Sequence, residues 1–293
     1  VSARPPPYVL PLIVVAQFLG ASLWFASNAV APALSPAGAD VSTAVAWLTS
    51  AVQAGFIVGT LTYAALGLSD RFPAHRVFAV SGLAGAIFNG VVILVPSNFA
   101  AVVALRFAVG VTLGGIYPVG MKLAASWHER GLGRALGLLV GALVLGTAFP
   151  HLLRTVELAW RPVILTTSGA AIVGAGLIAR FVPEGPHVGR ATAFSPRQAL
   201  GVFKLPRFRR ASLGYFGHMW ELYAFWAFVP FALAEGLRTS EAPVLSWWSF
   251  AVIAAGAFGC AVGGFVSTRL GSATVAMVCL AVSGSACLLS PLV

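Results

Sequence analysis

Charge is scarce in this chain. Asp, Glu, Lys and Arg make up 9% of its 293 residues, where a soluble domain carries about 25%. Hydrophobic residues make up 59%, more apolar surface than one water-soluble core of this length can bury. The scarcity excludes a soluble globular domain and predicts an all-α integral membrane protein whose first partner is the lipid bilayer. Cysteine is nearly lacking as well. Cys260, Cys279 and Cys287 all sit in apolar runs without metal-ligand spacing, which points to packing and to no metal site. Also missing are a Walker loop, a cluster of metal ligands and a nucleophile triad. The enzyme classes they mark are excluded, and no cofactor is expected. Glycine runs such as GALVLG (141–146) fall inside apolar segments and read as helix packing, not as phosphate loops.

What the chain does have is apolar length. A membrane helix needs about 20 mostly apolar residues. Nine runs qualify: 8–31, 43–68, 77–95, 98–125, 134–153, 162–182, 210–233, 244–267 and 273–293. The first is longer than the roughly 7–15-residue core of a secretory signal. One long link, 183–209, is Pro-rich and basic. It divides the chain into 1–182 with six spans and 210–293 with three.

The net charge of +10 has a topological reading. With the N-terminus placed inside, fourteen of the 18 basic residues fall on the cytoplasmic side, and only Arg154, Arg161 and Arg238 fall outside. This asymmetry predicts a multi-pass protein of the cell (inner) membrane with a cytoplasmic N-terminus. It also explains the charge without nucleic acid, since the loops lack basic patches interleaved with aromatics.

An internal repeat supports two related halves. A shift of 198 residues lays Phe18 on Phe216, Ala26 on Ala224, Ala29 on Ala227 and Pro32 on Pro230. The same shift lays LGLSDRFPA (66–74) on GFVSTRLGS (264–272). Parallel repeats of six helices are a known transporter design.

Few charges lie within the apolar runs, and they are the candidate functional residues. Glu221 sits in GYFGHMWELYAFWAF (214–228), about 16 Å beyond Arg210 along a helix. That is near the bilayer midplane, where a charge costs about 2.5–3.5 kcal/mol. Spacing puts His218 on its face, with Tyr215 one turn earlier. The cluster is either a proton or substrate site or an interhelical hydrogen-bond cluster. Arg106 lies about 12 Å below the outer end of its run, and Tyr117, three turns on, is expected on its face. Arg106 is either an anion site coupled to Glu221 or a structural clamp. Gln17, Trp24 and Asn28, at 0, +7 and +11, share one helix face, a cavity wall or a packing face. Gln53 and Asn89 are weaker candidates. Lys122 either snorkels to the headgroups or lines an inner mouth. His151, Arg154 and Glu157 read as a solvated loop end.

The motifs resemble the major facilitator superfamily. The segment after the second run is similar to that family's signature G-x-L-A-D-R-x-G-R-[RK] through Leu68, Asp70, Arg71 and Arg76. Leu66 and Pro73 replace its glycines. The second copy keeps Gly264, Arg269 and Gly271, with Thr268 for the acid. Arg106 and Gly110 match R-x-x-x-G. Gly137, Gly141 and Gly146 fit part of the antiporter signature G-x-x-x-G-P-x-x-G-G, whose proline is absent. The resemblance implies a six-helix N-terminal bundle, a cytoplasmic linker and the first three helices of a second bundle. That is nine of the family's twelve helices, and so a C-terminally incomplete chain. It implies secondary active transport of a small polar or anionic solute, with protons as second partner; a drug or metabolite efflux antiporter and a non-transporting remnant are the alternatives. It places Arg106 and Glu221 on facing cavity walls. It assigns Asp70, Arg71, Arg76 and Arg269 to a gating loop.

Overall fold

The computed structural model describes residues 6–128, 131–156, 158–187 and 200–289, and among these every regular element is helical. The elements in order are α1 (Val9–Ala21), α2 (Ala31–Leu34), α3 (Val41–Ala65), α4 (Leu68–Arg71) and α5 (Ala74–Val91), the last extended by a 3-10 turn, Val92–Leu94. Then come α6 (Phe99–Leu113), α7 (Tyr117–Trp127), α8 (Leu132–Thr155), α9 (Trp160–Phe181), α10 (Pro206–Gly236), α11 (Ala242–Leu270) and α12 (Ser272–Leu289). Local chemistry fixes several starts. Asp40 caps α3, accepting from Ser42 N at 3.2 Å and from the Ser42 hydroxyl, and these bonds hold its carboxyl below the usual range. Asn98 caps α6 through Ala101 N at 3.0 Å. Both satisfy amides that a helix start leaves unpaired.

Among the described residues, seven helical stretches are long and apolar enough to cross a membrane: α3, α5 with its 3-10 turn, α6 joined to α7, α8, α9, α11 and α12. Two of the nine expected runs differ. The first is broken: α1 ends at Ala21, residues 22–30 form turns, and α2 follows. Pro32 cannot continue a helix through the break. Ser22 Oγ turns back onto Leu19 O at 2.6 Å, an alternative partner for the backbone. The other is α10. At 31 residues it is long enough, but His218, Glu221, Pro230 and its Trp and Tyr residues lower its hydropathy. The repeat therefore pairs a broken segment with a continuous one, Pro32 in the first turn of α2 and Pro230 inside α10.

The fourth apolar run, 98–125, is broken as well. Residues 114–116 separate α6 from α7, with Pro118 in the first turn of α7. Tyr117 therefore does not continue the face of Arg106, because the turn interrupts the 3.6-residue period on which that expectation rested.

Glycine brings backbones together at two seams. α3 packs on α6 where a side chain on Gly110 would strike the carbonyl of Val52. α8 packs on α11 along Gly133, Gly137 and Gly141, and a Cβ on Gly137 would lie 2.8 Å from Gly264 Cα. Close small-residue approach of this kind is how helices associate in lipid. Gly146 abuts Phe18 and Ala21 of α1. α1 and α5 both lean on α9. Burial falls towards the C-terminal helices: α11 buries three residues and α12 none.

Candidate functional site

The break in the first span explains Arg106. Short-range bonds from Leu23 N to Gly20 O and from Trp24 N to Ala21 O tighten the chain and leave the carbonyls of Leu23 and Trp24 outside any helix. Buried carbonyls need donors. Arg106, wholly buried in α6, supplies them: Nη2 donates to Leu23 O at 2.7 Å and Trp24 O at 2.6 Å, and Nη1 to Asn89 Oδ1 at 3.0 Å. Asn89 Nδ2 passes the network on to Ile164 O, Thr167 Oγ1 and Ser168 Oγ at 2.9–3.1 Å. One guanidinium thus ties the unwound segment to α5, α6 and α9. Irregular backbone at membrane depth survives where protein satisfies it, as here.

Glu221 belongs to a second network. It is the central residue of α10, 15 residues from either end. Ser283 Oγ of α12 donates to its Oε1 at 2.5 Å, and Cys287 Sγ lies 3.6 Å from the same oxygen. His218 Nδ1 stands 3.5 Å from Oε2, one turn away. The pair is about one-third exposed. Among the described residues no ion pair joins Arg106 to Glu221. Arg106 turns to the first span and Glu221 to α12, so the expected electrostatic coupling is absent from this geometry. Tyr215 is half-exposed beside Phe216.

Between these networks lies a run of aromatic rings that joins the two halves. Trp24, fully buried in the unwound segment, meets Phe56 of α3 at 4.8 Å and Tyr223 of α10 at 5.5 Å, the latter stacked within 19°. Tyr117 meets Phe56 at 6.5 Å. Trp226 and Tyr223 meet nearly at right angles at 5.5 Å, and Trp226 meets Phe25 at 6.0 Å. Such offset and edge contacts are each worth about 0.5–1.5 kcal/mol beyond burial. Several polar atoms on the first span and α3 have no partner: both amide atoms of Gln17, Trp24 Nε1, Ser27 Oγ, Asn28 Oδ1 and Gln53 Nε2. Each costs about 1–3 kcal/mol if left unmet. Asn28 Nδ2 donates to Thr49 Oγ1 at 2.7 Å. Gln17, Trp24 and Asn28 are all buried, but not as one helix face, since Trp24 and Asn28 lie in the turns.

Residues of the signature-like segment after α3 form a third cluster. Lys122 Nζ pairs with Asp70 at 2.5 Å and also donates to Ser69 O. Its ammonium is thereby tied to the 69–70 segment. Glu184, just past α9, accepts from Ala74 N at 2.7 Å at the start of α5. Ser126 Oγ accepts from Gly185 N at 3.0 Å, and Trp127 Nε1 donates to Pro183 O at 3.1 Å. Arg71, Arg76 and Arg269 are exposed and make no ion pair among the described residues. The expected loop end at 151–157 is different: His151 is buried inside α8, and Arg154 Nη1 donates to Leu158 O at 2.5 Å. Glu157 lies outside the described residues, as do Arg4, Arg130, Arg190 and Arg197.

A family model described as Major Facilitator Superfamily matches residues 13–293. The chain belongs to the major facilitator superfamily. It is a multi-pass membrane protein with that family's all-α fold, and a membrane transporter. No curated protein matches the chain.

Within this superfamily chain, several site residues escaped the sequence reading. Phe56, Tyr223 and Trp226 sit in apolar runs, where an aromatic carries no mark of its role. Ser283 and Glu184 are a lone serine and a lone acid. Asn89 does carry a signal, an amide inside an apolar run, and it stands at the centre of the Arg106 network.

Proposed function

We propose that this protein is a proton-coupled secondary transporter working by alternating access, with Glu221 as the group that takes and releases the proton. The observation that carries this reading is the placement of Glu221: mid-span, partly accessible, bonded to Ser283 and within reach of His218. A carboxylate at that depth is costly unless it is used or neutralised. The domains would be 1–182 and 210–293, linked by 183–209, with the N-terminus at the cytoplasmic face of the cell membrane. The glycine seam between α8 and α11, where small residues let the backbones approach closely, is the contact about which the halves would rock.

The solute was expected to be small and polar or anionic, with Arg106 as its receptor. Arg106 instead commits both terminal nitrogens to neutral acceptors, which removes that support for an anion. The second reading, an efflux antiporter for an amphipathic drug or metabolite, is favoured by the aromatic run between the halves. Asp70 is read as part of a gate held within its own bundle by Lys122.

The test is solute-driven proton movement in liposomes holding the full chain, with wild type beside Glu221→Gln. Coupled movement is expected in the wild type and is abolished in the variant. Movement that persists in the variant moves the proton site elsewhere and reduces Glu221 to helix packing.

A further inference from the structure

Three helix ends of the first half meet around one cavity. α1 begins just after Tyr8, α5 begins at Ala74 and α9 closes at Phe181. Between them lies a space of about 380 Å³ whose lining includes Tyr8, His75, Arg180 and Phe181. That is at the lower end of the roughly 300–1,000 Å³ that small ligands fill. Tyr8, Arg180 and Phe181 are exposed, so the cavity opens on the protein surface. It is separate from the cluster of Lys122 and Asp70, which lines a smaller cavity with Glu184.

The lining is an anion receptor with an apolar edge. Arg180 makes no ion pair among the described residues. Its guanidinium lies over the ring of Phe181, 5.3 Å from the centroid, a contact that consumes none of its N–H donors. His75 Nδ1 is buried without a partner, and a buried ring nitrogen calls for one. The Tyr8 hydroxyl offers a further donor. The acids at this end are already committed. Asp70 pairs with Lys122, and Glu184 accepts from Ala74 N. Arg71 and Arg76 are exposed and also lack ion pairs among the described residues. α5 adds the positive pole of its dipole, and Arg180 offsets the negative pole of α9 from its last turn. Farther from this end, the exposed faces of the same helices are apolar: Val80, Leu83 and Ile87 on α5, Ile172 and Val173 on α9. A water-soluble anion has no use for those faces, whereas acyl chains lie along them. A zwitterionic headgroup would also bring an ammonium, and the cavity lining holds no acid to receive it.

We propose that this cavity holds the headgroup phosphate of an anionic phospholipid from the adjoining leaflet. Arg180 pairs with the phosphate, the His75 ring and the Tyr8 hydroxyl complete its hydrogen bonds, and the chains run along α5 and α9. Basic cavities between membrane helices take headgroups in this way, and Tyr8 and Phe181 supply the aromatic rings that favour the headgroup level. The bound lipid bridges three helix ends and so anchors this end of the first half in the bilayer. The site is independent of the proton chemistry assigned to Glu221.

The experiment is native mass spectrometry of the full chain released from detergent micelles. It counts bound lipids as dioleoyl phosphatidylglycerol, phosphatidylethanolamine or phosphatidylcholine is titrated. The first phosphatidylglycerol is expected to bind about ten-fold more tightly than either zwitterionic lipid, the size of one charge-assisted pair. Arg180→Gln abolishes that preference, and Arg180→Lys keeps part of it. His75→Phe weakens phosphatidylglycerol by about three-fold, as one lost hydrogen bond does. Arg76→Gln removes the same charge from a residue outside the cavity lining and leaves binding close to wild type. Should Arg180→Gln fail to fold, His75→Phe set against Arg76→Gln carries the test. Equal binding of the three lipids to wild type overturns the site. So do equal losses in Arg180→Gln and Arg76→Gln, which would reduce the effect to general surface charge. Displacement of phosphatidylglycerol by an equal concentration of glycerol 3-phosphate overturns the lipid assignment and gives the cavity to a soluble phosphate.

Discussion

Removing the guanidinium of Arg106 strips three buried acceptors at once: Leu23 O, Trp24 O and Asn89 Oδ1. Each unmet acceptor costs about 1–3 kcal/mol. Arg106→Met is expected to lower the thermal unfolding temperature in detergent sharply and to reduce membrane insertion. Arg106→Lys rescues only part of the loss, because one ammonium cannot span acceptors that a planar fork reaches together. A variant as stable as wild type would remove the clamp from the account. The sequence made Arg106 conspicuous as a lone cation in an apolar run, and it made Glu221 conspicuous in the same way. It did not show where either side chain turns. Arg106 bonds to backbone, which leaves no residue-type mark. Glu221 meets Ser283 from 62 positions away.

At the scale of elements, apolar runs made most of the helices legible, because spanning length and hydropathy suffice for α3, α5, α8, α9, α11 and α12. The breaks at 22–30 and 114–116 were not legible. Unwound membrane backbone depends on donors from other helices, and hydropathy does not register it. The glycine seams make a prediction of their own. Gly110→Leu forces α6 away from Val52 on α3, and Gly137→Leu forces α8 from Gly264 on α11. Overpacking of this kind costs about 1–3 kcal/mol or more. Gly110→Leu is expected to lower the unfolding temperature, since its seam lies within one half. Gly137→Leu is expected to slow solute flux more than it lowers that temperature, since its seam joins the two halves. Flux and thermal unfolding, measured on both variants, separate the two cases.

For the whole molecule, the asymmetry of basic residues carries the proposed orientation. In a cysteine-free background, cysteines at Ser69 and Thr268 are expected to react with a membrane-impermeant maleimide only from the cytoplasmic side. A cysteine at Arg238 is expected to react only from the opposite face. The reverse pattern in inside-out and right-side-out vesicles would invert the topology. Lys122 and Glu184 fix one end of the first half by holding the 69–74 segment from two directions.

The clamp on the first span has a consequence for how such a chain can diverge. Arg106 grips residues 23 and 24 by their carbonyls, and every amino acid offers the same carbonyl. The clamp is therefore indifferent to the ring at position 24, while the rings of Phe56 and Tyr223 that pack on it are not. A change at position 24 rewrites the aromatic contact between the first span and α10 while leaving the knot at the carbonyls in place, because the two are written on different atoms of the same residue.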